Sequence, residues 1–179
     1  MSIKRIYTVI SVTLPFIYVV YSLAIKNYEN TINAALTLLC VSIFLLIHNK
    51  LRFINGLLYY GVLALLFLSV FAGKTLNFYA TIPHWDKYLH FLSGFIFVGI
   101  GNELYQKTTK HYSPSYIRRL FPLLFAISAA GLWEIWEFSG DKLFGLSAQN
   151  NSLTDTMTDM ILGSLSSVIA IMFIKKTSL

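Results

Sequence analysis

The residues of this sequence best suited to chemistry are acids and imidazoles set at helical spacing. Asp86 and His90 are four positions apart, Glu134 and Glu137 three, and Asp155 and Asp159 four. On an α-helix each such pair lies on one face. Five carboxylates beside one or two imidazoles (His90, with or without His84) carry too much negative charge to stand together unaided. Either some of them hold protons, or a cation holds the group. Oxygen ligands with one imidazole suit Zn²⁺, Mn²⁺, Mg²⁺ or a non-haem iron, and the residue types do not choose among these. The expected ligands are His90, Glu134, Asp155 and Asp159. Glu137 or Asp86 would then act as general base, or orient a ligand from behind.

The elements that must position these residues are apolar helices. The chain has 179 residues, is 56% hydrophobic and 12% charged, with a mean hydropathy of +0.64. Soluble domains carry about 25% charged residues, so the composition points to lipid. The net charge of +6 comes from basic residues scattered between apolar runs. That pattern reads as membrane topology and excludes a nucleic-acid partner. Six apolar segments approach the roughly 20 residues a membrane span requires: 5–25, 32–48, 54–72, 87–105, 119–138 and 155–174. The fold expected is all-α, a polytopic transmembrane bundle of six spans forming a single domain over 1–179. Lys4, Arg5, Lys50, Arg52, Lys107, Lys110, Arg118, Arg119, Lys175 and Lys176 fall on one side; Lys26, Lys74, Lys87 and Lys142 fall on the other. The positive-inside rule therefore puts both termini in the cytoplasm. His90, Glu134 and Asp159 would lie roughly 6 Å below the outer interface. An unpartnered charge deeper in the bilayer costs about 3 kcal/mol or more, so the three polar faces should turn toward one another.

Simpler readings apply to several of these residues one by one. Asp86 is favourable at a helix N-terminus whatever else it does, Asp155 could simply be capped or solvated, and Glu137 and Asp141, the latter in the loop after segment five, are natural interfacial residues. Trp85, Trp133 and Trp136 read as an aromatic belt, and Gly94, Gly99, Gly101, Gly131 and Gly163 as close helix packing. His48 and His111, on the basic side, read as solvated, and segments one to three as scaffold. Ser22 and Ala24 after the first apolar run have the spacing of a signal-peptidase site, but the run is long for a signal peptide. Cys40 has no cysteine partner within the chain. What no single-residue reading explains is the convergence of three acidic helix ends.

Three motifs carry a family resemblance: Asp86, Lys87 and His90 with Gly94 and Phe95; Trp133, Glu134, Trp136 and Glu137; and Gln149 and Asn150 leading to Asp155 and Asp159. Over roughly residues 84–165 the chain resembles the YjdF-type bacterial inner-membrane proteins. The Asp-Lys-x-x-His-Phe element is also similar to the VanZ-like group, although the Arg and Asn of that group's later motifs have no counterpart here. The resemblance implies a bacterial plasma-membrane protein and supplies no activity. The paired acids are also loosely similar to the Glu-x-x-His ligands of di-iron bundles, but here the histidine follows an Asp by four positions.

The chemistry therefore rests on the residues. The leading expectation is a divalent-metal-dependent hydrolase acting on a lipid-linked or envelope substrate. No serine or cysteine nucleophile motif is visible, and no arginine near the site is available to clamp phosphate. The alternatives are a proton- or cation-coupled transporter and a structural metal clip. The topology is checked directly: a reporter fused after Lys142 should read as extracytoplasmic while fusions at either terminus read as cytoplasmic. A cytoplasmic signal after Lys142 would move the whole acidic cluster to the inner face.

Overall fold

The structure is a computed structural model that describes residues 3–52, 54, 56–109, 114–149 and 152–174. Lys110, His111, Asn150, Lys175 and Lys176 lie outside the described residues. Every regular element among the described residues is helical. The elements are α1 (Ile3–Ala24), α2 (Tyr28–Leu51), α3 (Gly56–Leu66) running into a π-helix (Phe67–Thr75), a short α4 (Phe78–Thr81), α5 (Trp85–Thr108), α6 (Ser115–Phe144) and α7 (Leu153–Phe173). They form two compact units, Met1–Trp85 and Asp86–Leu179.

Each expected apolar segment lies on a helix. Five helical stretches are long and apolar enough to cross a membrane: Ile3–Ala24, Tyr28–Leu51, Gly56–Thr75, Tyr116–Phe144 and Leu153–Phe173. α5 has 24 residues, about 36 Å of helix, but is not among the five. Its apolar stretch, 91–101, is bounded by Asp86, Lys87 and His90 at one end and by Asn102, Glu103 and Gln106 at the other. α6 runs further than the sequence indicates. Asp141 and Lys142, expected in a loop, belong to the last turn of the helix, which ends at Gly145 in the left-handed region (φ 66°). A helix need not stop where its apolar stretch stops; it stops where a residue free of the Cβ penalty can turn the chain.

In the first unit α1 packs on α2, and α2 on the π-helix. Val41, Ala34, Tyr59 and Leu63 are fully enclosed. His48, expected to be solvated, is buried, because its ring packs against Phe44 and Tyr59 and its Nε2 lies 3.0 Å from Lys4 Nζ.

The second unit is built on small residues. The buried stripe of α5 is His90, Gly94, Val98, Gly101 and Tyr105, and that of α7 is Asp159, Gly163, Ser166 and Ala170. α6 contributes Ala126, Ala130 and Glu134. Each stripe is small or apolar along its length and ends in a titratable residue at the same end of the unit. Without a hydrophobic drive between helices in lipid, such seams hold by close van der Waals packing. A Cβ on Gly94 would fall 2.0 Å from Ser166 Oγ and 2.5 Å from the Gly163 carbonyl oxygen. At Gly101 it would fall 2.9 Å from Pro122 Cα. At Gly131 the nearest atom, Met160 Cε, is an ordinary 3.7 Å away. Gly94→Ala should therefore cost about 1–3 kcal/mol through overpacking against backbone. Gly131→Ala should be neutral or slightly stabilising. Thermal unfolding of the two purified variants in detergent separates them, and equal melting temperatures would discount the α5–α7 seam.

Candidate polar site at the end of the second unit

Three helix ends build the site. Asp86, Lys87 and His90 come from the first turns of α5, Glu134 and Glu137 from the later turns of α6, and Asp155 and Asp159 from the first turns of α7. Local capping fixes these ends. The Ser152 side chain accepts from the Asp155 amide at 3.2 Å and starts α7. Asp141, at the end of α6, accepts from the amides of Ala148 and Gln149 at 2.8 and 3.0 Å. Gln149 in turn donates to the Glu134 carbonyl at 3.2 Å. The connection from α6 to α7 is thereby folded back onto α6, and Asp141 serves the loop.

The centre of the site divides the carboxylates into two sets. Lys87 Nζ bridges α5 to α7, donating to Asp155 Oδ1 at 2.5 Å and to Asp159 Oδ2 at 2.7 Å, with Asp86 Oδ2 at 3.9 Å. Asp159 is only 1% exposed, and its other oxygen, Oδ1, has no hydrogen-bond partner among the described residues. The second set surrounds His90, whose Nε2 lies 3.6 Å from both Asp86 Oδ1 and Glu134 Oε1. Both are longer than a hydrogen bond. Glu134 is 3% exposed, and among the described residues neither of its oxygens meets a hydrogen-bond partner at bonding distance. Glu137 is held from the side, Oε1 accepting from Trp133 Nε1 at 2.8 Å.

Two groups offer ligand atoms within 4.8 Å of one another: Asp86, His90 and Asp159, and His90, Glu134 and Glu137. His90 belongs to both. Of the four ligands expected from the sequence, His90, Glu134 and Asp159 thus enter such a group. Asp155 enters neither, and Lys87 engages it instead. Asp86 and Glu137, expected as base or orienting groups, each stand in one of the groups. His84 is exposed with φ of 60° and belongs to neither.

Lys87 is the residue that sequence reasoning missed. It entered the topology only as one of four basic residues on the sparse side. The signal available was its spacing, three positions before His90, which puts it on the same face of α5. An open groove of about 490 Å³ between α6 and α7 has Glu134 in its lining. Its walls include Ile135, Phe138 and Met160, and polar Lys142, Gln149 and Ser152 also line it.

Removing one partner from a buried ion pair leaves an uncompensated charge, at a cost of about 3–5 kcal/mol. Lys87→Met should lower stability on that scale in thermal or denaturant unfolding of the full chain. The double variant Lys87→Met/Asp159→Asn should recover at least about 1 kcal/mol of it, as coupled neighbours do. A Lys87→Met variant that unfolds like wild type would mean the bridge contributes nothing.

A family of predicted membrane proteins, DUF2238, matches residues 6–178. An uncharacterized protein of Thermotoga maritima is 34% identical over 95 residues, a stretch that covers 53% of this chain and 50% of the relative. The chain thus spans about half the length of the curated relative it matches. No solved structure matches. With its apolar helices and a family match over nearly its whole length, the chain belongs to the DUF2238 family of predicted membrane proteins.

Proposed function

We propose that this is a multi-pass bacterial plasma-membrane protein that binds a divalent cation at His90, Glu134 and Glu137 and uses it to hydrolyse a lipid-linked or envelope substrate. In this reading α5 is the sixth span, both termini are cytoplasmic, and the site faces outward. The observation that carries the reading is Glu134: both its carboxylate oxygens are buried without a hydrogen-bond partner among the described residues, and Oε1 lies 3.6 Å from His90 Nε2. An ionised carboxylate so placed is costly unless a cation or a proton completes it. Lys87 decides between the two candidate groups. Its ammonium lies 2.7 Å from Asp159 and 3.9 Å from Asp86, so a metal between Asp86, His90 and Asp159 would face a positive charge. The group of His90, Glu134 and Glu137 includes none of the carboxylates that Lys87 pairs with.

A divalent cation there would lower the pKa of its bound water and polarise a phosphoryl or carbonyl oxygen. Asp86, close to His90 and not needed as a ligand, is placed to accept a proton or to orient the imidazole. Lys87 holds Asp155 and Asp159 and so keeps α5 registered on α7. The groove that Glu134 lines has apolar walls together with a lysine and an amide. That mixture suits an amphiphile, with chain along the walls and headgroup at the acid. The Lys87 bridge also favours a second reading, in which the cation merely completes a polar clip between helices.

Elemental analysis of protein purified without chelator tests the proposal. Wild type should hold about one divalent ion per chain, the stoichiometry of one three-ligand group. His90→Ala and Glu134→Gln should lose most of it, while Asp86→Asn should keep it. Mass spectrometry of a total bacterial lipid extract incubated with wild-type protein should show cleavage products that Asp86→Asn does not make. Metal binding without products would leave the clip. Wild type with no metal, and no stabilisation by added Zn²⁺, Mn²⁺ or Mg²⁺, would end both readings.

A further inference from the structure

We propose that Lys87 is a tethered cation standing in a second cation position of the acidic end, and that a divalent ion takes this position once the ammonium is removed. The position is made by carboxylates other than Glu134 and Glu137. Lys87 Nζ lies 2.5 Å from Asp155 Oδ1, 2.7 Å from Asp159 Oδ2 and 3.9 Å from Asp86 Oδ2. Asp86 comes from the first turn of α5, and Asp155 and Asp159 from the first turns of α7. Oxygens of two helices thus converge on one positive charge. Two of these carboxylates recur in the group of Asp86, His90 and Asp159, whose ligand atoms lie within 4.8 Å of one another, a spacing that one metal ion spans.

The position is built into the packing. Asp159 is 1% exposed, and its Oδ1 has no hydrogen-bond partner among the described residues. It therefore keeps a lone-pair oxygen beyond the one that Lys87 takes, and a carboxylate ligates a hard cation through one oxygen or both. The backbone that carries the acids has supports besides the lysine. Ser152 Oγ accepts from the Asp155 amide at 3.2 Å and starts α7, and Gly94 seats α5 against Gly163, Ser166 and Ser167. The three acids therefore stay grouped when the side chain at 87 is made neutral.

An ammonium and a metal ion exclude each other here. A lysine ammonium is a compact point charge with three donors and no acceptor, so it fills the place of an ion but cannot ligate one. A divalent ion on Asp159 would stand on the carboxylate that Nζ touches at 2.7 Å. Little water reaches a residue 1% exposed, so the two like charges would repel with weak screening. The distances of Nζ are close to those an ion would inherit, since Ca²⁺ takes oxygen ligands at about 2.3–2.6 Å. Lys87 thus limits how many free ions the acidic end accepts. Where the reading of a metal at His90, Glu134 and Glu137 holds, the centre is one ion beside one ammonium, and not a two-ion clamp on the attacking and leaving oxygens. The ammonium then supplies fixed positive charge where a second ion would, whatever the ion supply.

The test counts ions bound to the full chain in dodecyl maltoside, stripped with EDTA, equilibrated with Ca²⁺ or with Mn²⁺, desalted and read by elemental mass spectrometry. Lys87→Met should hold about one ion per chain more than wild type. Lys87→Met/Asp159→Asn should lose that extra ion. Lys87→Arg, which keeps a tethered cation, should match wild type. So should Lys142→Met, which removes a lysine of the same unit outside the three carboxylates. The readout is a difference, so it is separate from the metal at Glu134. A step from none to one supports the tethered cation and removes that metal, and a step from one to two supports both. Equal counts in wild type and Lys87→Met overturn the tethered cation whatever the wild-type value. An equal gain in Lys142→Met would assign the extra ion to net charge, and a gain in Lys87→Arg would show that a charge at 87 does not exclude it; either overturns the proposal. Melting temperature gives a second readout: the added ion should raise that of Lys87→Met more than that of wild type, and an equal rise counts against the position. Should Lys87→Met fail to fold, Lys87→Met/Asp155→Asn removes one acid with the lysine, keeps Asp86 and Asp159, and should still exceed wild type by about one ion.

Discussion

The second unit depends on one constraint: a carboxylate among packed apolar helices must find a positive partner. Asp159 is almost fully enclosed, and its partner is Lys87, which also takes Asp155. That three-centre bridge fixes how α5 faces α7. The rest of the seam agrees with it in register. Gly94 lies seven residues beyond Lys87, two helical turns along the same face, and there the α5 backbone packs against Gly163, Ser166 and Ser167 of α7 with no room for a Cβ. Close approach at Gly94 brings the lysine within reach of both aspartates; a bulkier residue there would open the distance that the ion pair must span. Packing and electrostatics thus specify the same helix orientation, as a sequence with one preferred structure requires.

The same bridge apportions the remaining charge. With Asp155 and Asp159 engaged by an ammonium, Asp86, Glu134 and Glu137 share the space around a single imidazole. Glu137 takes one hydrogen bond from Trp133, whereas Glu134 takes none at either oxygen. A buried network with one member unsatisfied is less stable than an apolar core of the same shape. A proton or a cation on Glu134 would remove that cost. Glu134 also lines the groove between α6 and α7.

Much of this was legible in the sequence, and the reasons are specific. Each apolar segment was visible as a helix, because lipid tolerates few charges and so makes helices easy to read. The convergence of three acidic helix ends followed from spacings of three and four, together with the cost of turning a carboxylate to lipid. What could not be read was which cation answers which acid. Lys87 looked like a topology signal, since every lysine outside an apolar run does; its role emerges only when α7 is laid beside α5. His48 was misjudged for the same reason, because polar context in the chain says nothing of Phe44 and Tyr59 closing over the ring. The end of α6 was missed because Asp141 and Lys142 resemble a loop, whereas Gly145 sets the stop. The π-helix at Phe67–Thr75 left no sequence signal beyond apolarity.

The distribution of charge along the chain differs between the two units. Seven of the eight acids follow residue 85, while the unit before it has six basic residues and Glu29 alone. In the second unit one lysine serves two aspartates, and Glu134 stands beside His90; in the first, Lys4 rests on a ring face and an imidazole nitrogen. In water such imbalance would be screened within about 10 Å. Beside a bilayer, in a medium of lower dielectric, each uncompensated charge is felt more strongly, and the cheapest compensation is an ion of opposite sign held in place. The acids of the second unit are thus distinguished by their placement, gathered on three helix ends beside one lysine and one imidazole, and not by any shortage of basic residues in that half of the chain.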